Sequence, residues 1–323
     1  MFYNIDCIEG CKKYLDDNTV DLIITDPPYG INGDKLHKHY NRNESFVLDG
    51  YVEIPKSDYR DFSFKWIKEA ERILKPGGTI YIVSGYTNLV DILDALKATS
   101  LTEINHIIWK YNFGVYTKNK FISSHYHILF YTKPGKEHTF NTFCRFGDGE
   151  KDLKNGSLNY QDREDVWIIN KEYKPGKIKN KNELPTELLI KMIQYSSNEN
   201  DLVCDLFLGS FSTAKVALGL NRNAIGFEIS STAFKHQIEN IQKIKKGCLL
   251  NDIRKPTETN ISNRGKYWDI HEIDKLKMRY LELIRYKNKK ETILALSKEF
   301  GRGHFAILNK IESFNEIDEF KLF

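Results

Sequence analysis

Val20-Asp21-Leu22-Ile23-Ile24-Thr25 runs straight into Asp26-Pro27-Pro28-Tyr29. The first six residues are short, largely apolar and β-branched, as expected of a strand covered on both faces. The tetrapeptide therefore falls at a strand's carboxyl end, the edge at which open α/β sheets bind ligands. Asp26 supplies an acceptor-only carboxylate and Tyr29 an aromatic face. Pro27 and Pro28 hold the backbone extended and remove two N–H donors, which leaves the Pro27 carbonyl available.

This set of groups suits an exocyclic amino group on a base. Such an amine is a poor nucleophile because its lone pair is delocalised into the ring. If Asp26 and the Pro27 carbonyl both accept its hydrogens, the nitrogen turns toward tetrahedral geometry and can attack an electrophilic methyl placed in line. Tyr29 would stack on the base, worth roughly 1–3 kcal/mol. A Pro-Pro turn with an N-capping Asp and a core Tyr is the plain structural alternative.

The rest of the chain reads as alternating strands and helices. Phe2–Ile5 suggests a strand ending at Asp6, with a helix over Ile8–Leu15; Phe62–Leu74 has helical apolar spacing and stops at Lys75-Pro76-Gly77-Gly78. Strand Thr79–Val83, helix Leu89–Ala98 and strands Ile104–Trp109 and His127–Tyr131 follow. Two long polar or aromatic stretches stand out. One, about Gly30–Ser57, contains Arg42 and leaves directly from the tetrapeptide, as a lid, a DNA-contacting loop or a plain surface insertion. The other, Lys110–Tyr126, carries Tyr111 and five more aromatic or histidine side chains, fit either to grip an extruded base or to pack a hairpin.

A second constellation lies far downstream. Glu183-Leu184-Pro185 opens a helix, with Pro185 where a missing N–H costs little. Asp201–Phe207 is a strand that runs into Leu208-Gly209-Ser210, a helix over Ala214–Leu220 follows, and the strand Ala224–Phe227 ends at Glu228. Strand, glycine turn, helix, strand and terminal acid make a nucleotide-type βαβ unit, in which the acid holds ribose hydroxyls. The turn lacks the three spaced glycines of a dinucleotide site. An adenosine ligand without phosphates, such as S-adenosylmethionine, suits it better than NAD or FAD.

Composition bounds the remainder. The 323 residues carry a net charge of +4, unevenly placed: eleven Lys/Arg against eight Asp/Glu over residues 133–181, and eleven against five over residues 254–290. Basic additions on a neutral or acidic core suit a nucleic-acid enzyme, although a solvated face gives the same pattern. No signal pattern or membrane-length apolar run is present, so the protein is expected to be cytoplasmic, with no membrane partner. The five cysteines are scattered without metal-ligand or disulfide spacing, and no metal is expected. No cysteine follows a proline, so a Pro-Cys nucleophile is absent.

Taken together, these motifs resemble the amino-group DNA methyltransferases, the bacterial and phage N6-adenine/N4-cytosine family, and within it the permuted β class. In that class the Asp-Pro-Pro-Tyr half precedes the cofactor half, with a target-recognition segment between. The resemblance covers about residues 1–133 and 166–250. It implies an α/β, Rossmann-like methyltransferase fold with a mostly parallel, doubly wound sheet. It assigns Asp26, Pro27, Pro28 and Tyr29 to catalysis. To S-adenosyl-L-methionine it assigns Asp6, Pro185, Glu228 and the loop Asp205, Phe207, Leu208, Gly209 and Ser210.

The implied activity is methyl transfer to N6 of an adenine flipped from double-stranded DNA, as a restriction-modification partner with a cognate endonuclease or as an orphan enzyme, with a homodimer as a further expectation. N4-cytosine transfer, a DNA-binding regulator with an inactive methyltransferase fold, and a nuclease built on Glu172-Tyr173-Lys174 are the alternatives. The family loop commonly reads Asp-Pro-Phe-x-Gly-Ser-Gly, whereas here Leu206 and Phe211 replace the proline and the last glycine. A turn of different shape, with Phe211 packed inside, is the expected accommodation.

The expected divisions are a catalytic half (1–133), a target-recognition segment (134–165), a cofactor half (166–255) and a basic helical C-terminal region (256–323). In the last, Thr292–Phe300, Gly301-Arg302-Gly303 and His304–Ile311 resemble a helix-turn-helix. That likeness would place Arg302 and His304 at base edges; a helical hairpin that packs on another surface fits the same pattern.

Overall fold

Leu22 and Ile24 point into one apolar layer and Ile23, between them, into another. That period-two alternation with apolar residues on both sides marks a strand sandwiched between helices. The computed structural model describes residues 1–28, 54–112, 114, 116–146, 156–172, 183–251, 253, 263 and 266–316. The chain divides into two compact units, Met1–Asn141 with Asp165–Ile253, and Thr142–Glu164 with Arg254–Phe323.

In the first unit the order is β1 (Phe2–Tyr3), α1 (Cys7–Tyr14), β2 (Val20–Thr25), α2 (Tyr59–Ile73), β3 (Leu74–Ser84), α3 (Leu89–Lys97), β4 (Thr102–Lys110) and β5 (His125–Thr132). After α4 (Leu158–Asp162), which belongs to the second unit, come β6 (Val166–Ile168), α5 (Thr186–Ser196), β7 (Leu202–Asp205), α6 (Ser212–Gly219), β8 (Asn223–Phe227) and α7 (Ser231–Gln242). The eight strands form one sheet in the order β1-β8-β7-β2-β3-β5-β4-β6. Only β5 among these strands runs against the others.

Helices cover both faces. Trp66, Ile67 and Ala70 of α2, with residues of α1 and α3, pack on the side of Ile23, Ile80 and Ile82. Leu188, Leu189 and Met192 of α5, with residues of α6, pack on the side of Leu22, Ile24 and Val203. The sheet is therefore doubly wound, as the sequence implied. Cys7, Cys11 and Cys204 are buried in the first of these layers, and burial pushes the Cys11 thiol up to about 12. They are core residues, not nucleophiles.

One boundary differs from expectation. Lys75-Pro76-Gly77-Gly78 does end α2, but it also lies inside β3. The register against β2 slips there, from Val20↔Leu74 to Leu22↔Thr79, and Gly77 takes φ +78°. An irregularity absorbs the proline that a regular central strand would reject.

In the second unit α8 (Ile270–Leu283), α9 (Lys289–Phe300) and α10 (His304–Glu316) enclose their own apolar core, with Leu276, Leu296 and Ile307 fully buried. Gly301 ends α9 at φ +57°, and Ser297 is buried with its hydroxyl donated to the Arg302 carbonyl at 2.6 Å.

Candidate active site

Two parallel neighbours at the middle of the sheet diverge after their carboxyl ends. From β2 the chain goes on to β3 on one side; from β7 it goes on to β8 on the other. This switch of direction opens the crevice in which α/β sheets bind ligands. Asp26 follows β2, and Asp205 ends β7. The parallel pairing Leu22↔Val203 and Ile23↔Cys204 carries the two strands side by side to that edge. Residues 179 positions apart in the chain, Asp26 and Asp205, are thereby brought to one edge.

The two strands are fastened at both ends by side chains. At the amino end Asp21 accepts from the Leu202 N–H at 2.9 Å and pairs with Lys75 at 2.6 Å. At the carboxyl end the Thr25 hydroxyl donates to Asp205 Oδ1 at 3.3 Å. Asp205 also accepts from the Phe207 N–H at 3.1 Å. It is fully enclosed, and burial pushes its carboxyl up to about 6, against the hydrogen bonds from Thr213, Phe207 and Thr25 that favour the ionised form. Loss of hydration outweighs the bonds, as expected for an acid with little water contact.

The loop after Asp205 is shaped by Glu228. Its Oε2 accepts from the Gly209 N–H and its Oε1 from the Ser230 N–H, both at 2.8 Å. Burial raises the Glu228 carboxyl, partly offset by these two bonds. Leu208 folds back so that its N–H donates to the Phe227 carbonyl at 2.9 Å. Gly226 permits this close approach: a Cβ there would lie 2.4 Å from the Asp205 carbonyl and 2.6 Å from Leu208 Cδ2. Gly209 takes φ +47° and Phe211 φ +61°. The turn therefore keeps the left-handed position that a glycine would favour, contrary to the expected change of shape. Phe211 is nonetheless fully buried, against Phe2 and Phe234 at ring distances of 5.3 and 5.8 Å.

Around this loop stand groups that sequence reasoning missed. Glu183 accepts from the Ser212 hydroxyl at 3.1 Å, and Ser212 shares a hydrogen bond with the Ser210 hydroxyl at 2.6 Å. Lys215 donates to the Ser210 carbonyl at 2.7 Å. Phe207 packs edge-on against Trp66 at 5.5 Å. Near Asp26, the buried Tyr59 phenol is hydrogen-bonded to Asn88 and is pushed up by burial first, with the Asp26 and Asp91 charges adding to it. Thr25, a polar residue inside an apolar strand, was a signal available in the sequence.

Of the other expected site residues, Asp6 caps α1, accepting from Ile8 and Glu9 N–H at 2.9 and 3.2 Å, and follows β1 at the same sheet edge as Glu228. Pro185 is the N-cap residue of α5. Pro27 is buried and Pro28 half-buried, whereas Tyr29 and Arg42 lie outside the described residues.

Two expectations for DNA contact are corrected. The Tyr111 ring is buried against Trp109 and Tyr126 at 5.7 and 5.5 Å, beneath Lys171, so it serves packing. Tyr116 and Phe121 are exposed aromatics among the described residues of that loop. Arg302 is 4% exposed and grips both Glu272 oxygens at 2.7 Å, so its guanidinium is not offered to base edges. His304 is half-buried at the start of α10.

This site can hold an adenosine-like group: Glu228 presents two carboxylate oxygens suited to a vicinal diol, beside a turn whose backbone approaches closely. Asp26, across the crevice, can accept amine hydrogens. Known proteins match the chain. The N6/N4 methyltransferase family model, described as DNA methylase, matches residues 20–240. The type II methyltransferase M.BamHI of Bacillus amyloliquefaciens is 33% identical over 282 residues, 82% of this chain and 62% of that protein. The chain thus spans less than two thirds of that relative's length. The DNA adenine methyltransferase YhdJ of Escherichia coli K12 is 28% identical, over 75% of this chain and 86% of that one. Among solved structures, a Thermus thermophilus protein described as a DNA modification methylase, complexed with S-adenosyl-L-methionine, superposes with a TM-score of 0.54 at 20% identity, covering 75% of this chain and 93% of that one. The cytosine-N4-specific PvuII DNA methyltransferase does so at 0.52 and 17%, covering 75% and 90%.

Proposed function

The chain belongs to the DNA methylase family, and from that premise we propose that it is an S-adenosyl-L-methionine-dependent DNA methyltransferase whose target atom is the exocyclic N6 of adenine. The observation that carries the reading is the meeting of Asp26 and Asp205 at the switch point between β2 and β7. S-adenosyl-L-methionine would supply a methyl group on an electron-poor sulfonium. Glu228 would hold its ribose hydroxyls. The loop Phe207-Leu208-Gly209-Ser210 would flank it, with Asp6 at the adenine and the Pro185 end of α5 at the methionine.

Asp26 and the Pro27 carbonyl would accept the two hydrogens of the target amine, concentrating its lone pair on nitrogen. Asp26 would then accept the proton that the amine gives up on methylation and pass it to solvent. Tyr29 would stack on the flipped base, whose extrusion costs a few kcal/mol.

Adenine is favoured by the Asp-Pro-Pro-Tyr form of the motif and by the likeness to an adenine-specific relative. The fold shared with a cytosine-N4 enzyme supports N4-cytosine as the second reading. Duplex DNA is the proposed substrate, and among the described residues no helix is long and apolar enough to cross a membrane. The test is incubation with DNA and methyl-labelled S-adenosylmethionine, then digestion and nucleoside mass analysis. Labelled N6-methyladenine is expected; N4-methylcytosine would keep the mechanism and change the base, and no labelled nucleoside would defeat the reading.

A further inference from the structure

The chain leaves the catalytic unit twice, over residues 142–164 and from residue 254 onward, and both excursions belong to the same compact unit. Nothing in the proposed chemistry uses that unit. Its helices α8, α9 and α10 have their own core, and the turn Gly301-Arg302-Gly303 between α9 and α10 is fixed from several directions. Ser297 holds the Arg302 carbonyl, and the Arg302 guanidinium holds Glu272 and the carbonyls of Lys266 and Tyr267 at 2.8 and 3.0 Å, stacked 4.0 Å from the Trp268 ring. A short glycine-containing turn between two helices, locked on a third, is the construction that sets a second helix into the DNA major groove while the first meets the backbone.

The charges lie where that geometry needs them. Residues 285–290 contain Arg285, Lys287, Lys289 and Lys290, all exposed, and no carboxylate. They precede and begin α9, whose Asn288 cap accepts from the Glu291 N–H. Cations at a helix N-terminus oppose its dipole, and folding alone would favour acids there. Lys289 lies 3.8 Å from Glu312, whereas Arg285, Lys287 and Lys290 make no ion pair with another described residue. A phosphate at this point would meet the cations and the Asn288-capped amino end of the helix, beside the one exposed carboxylate of its first turn, Glu291. On α10, Ala306 and Asn309 are exposed, an apolar contact and an amide of the kind that reads base edges.

We propose that the second unit is a DNA-docking module, a helix-turn-helix that holds duplex DNA with the α9 amino end on phosphates and α10 in the major groove. This function stands apart from methyl transfer. The test uses the full chain carrying Arg285→Ser, Lys287→Ser and Lys290→Ser, against a control with Lys12→Ser, Lys13→Ser and Lys97→Ser. The control removes the same charge at exposed positions in the last turns of α1 and α3. Affinity for a fluorescent duplex is read by anisotropy across a salt series, with S-adenosylmethionine binding measured alongside.

The first variant is expected to lose on the order of tenfold or more in DNA affinity, with the salt slope reduced by about 2–3, roughly 0.9 per phosphate contact. The control should keep both, and both proteins should bind S-adenosylmethionine like the parent. An unchanged slope overturns the module. So does equal loss in the control, which would make the effect one of net charge, or loss of self-association with DNA affinity intact, which would assign the surface to a second copy. Failure of the parent to bind S-adenosylmethionine would defeat the catalytic reading and leave the DNA result standing.

Discussion

Thr25, the last residue of β2, donates its hydroxyl to Asp205, the last residue of β7, so the strand that leads into the proposed catalytic tetrapeptide is tied to the strand that leads into the proposed cofactor loop. Both residues are buried, with Thr25 at 0% and Asp205 at 5% exposure. Position, not chemistry alone, is what this bond supplies: Asp26 follows it directly in the chain.

Thr25→Val keeps the shape and removes the donor. The buried Asp205 carboxylate then loses one of the hydrogen bonds that favour its charged form, at a cost of about 1–3 kcal/mol. Chemical unfolding at pH 8 should show that loss, and unfolding at pH 5, where Asp205 is largely protonated, should show less of it. Equal losses at both pH values would mean that the hydroxyl serves packing only.

Asp205 itself sets a pH dependence. Its folded value of about 6 lies above the ordinary 3.8, so the folded chain binds the proton more tightly than the unfolded chain. By linkage, the Asp205 contribution to stability falls as pH rises from about 4 to about 6 and stays low above that, a penalty of about 3 kcal/mol at most. Asp205→Asn removes the ionisation. It should be more stable than the parent at pH 8 and flatten the change between pH 4 and 7, while S-adenosylmethionine binding weakens. No stability gain at pH 8 would show that the carboxylate is better solvated than its enclosure implies.

Phe211 opposes strain to burial at one position. A non-glycine residue at φ +61° costs about 1–2 kcal/mol. Removing a fully buried phenylalanine ring costs about 3–5 kcal/mol. Burial is the larger, so stability should rank Phe211 above Phe211→Gly, and Phe211→Gly above Phe211→Ala, which keeps the strain and the cavity together. Thermal or urea unfolding of the three proteins decides it. A glycine variant as stable as the parent would mean that the ring contributes little.

The strands and helices near the site were legible because apolar period and punctuation agree there: Leu22, Ile23 and Ile24 run into Pro27-Pro28, and Val203-Cys204 into Gly209. The order of motifs also carried the doubly wound topology. What local pattern could not carry was side-chain destination. Tyr111 and Arg302 have the residue types of nucleic-acid contacts, yet the first is enclosed by Trp109 and Tyr126 and the second by Glu272 and Trp268. Tyr126, Glu272 and Trp268 lie 15 to 34 residues away along the chain, beyond the reach of periodicity. At Phe211 the expected burial holds but the expected change of turn does not, since a backbone preference against it was overruled by two rings from β1 and α7.

Arg302 fixes the turn between α9 and α10. Its side chain is 5% exposed and that of Glu272 16%, and its forked donors reach two carboxylate oxygens and three carbonyls at once. Lysine has the charge without the fork. Arg302→Lys and Arg302→Ala should therefore both destabilise the second unit, the alanine variant by about 3 kcal/mol because Glu272 is left without its partner. Hydrogen exchange should quicken at the buried positions of α8, α9 and α10, with the amides of β2 and β7 keeping their protection. Weakened DNA affinity with unaltered exchange in α9 and α10 would instead make Arg302 a side chain that reads DNA directly.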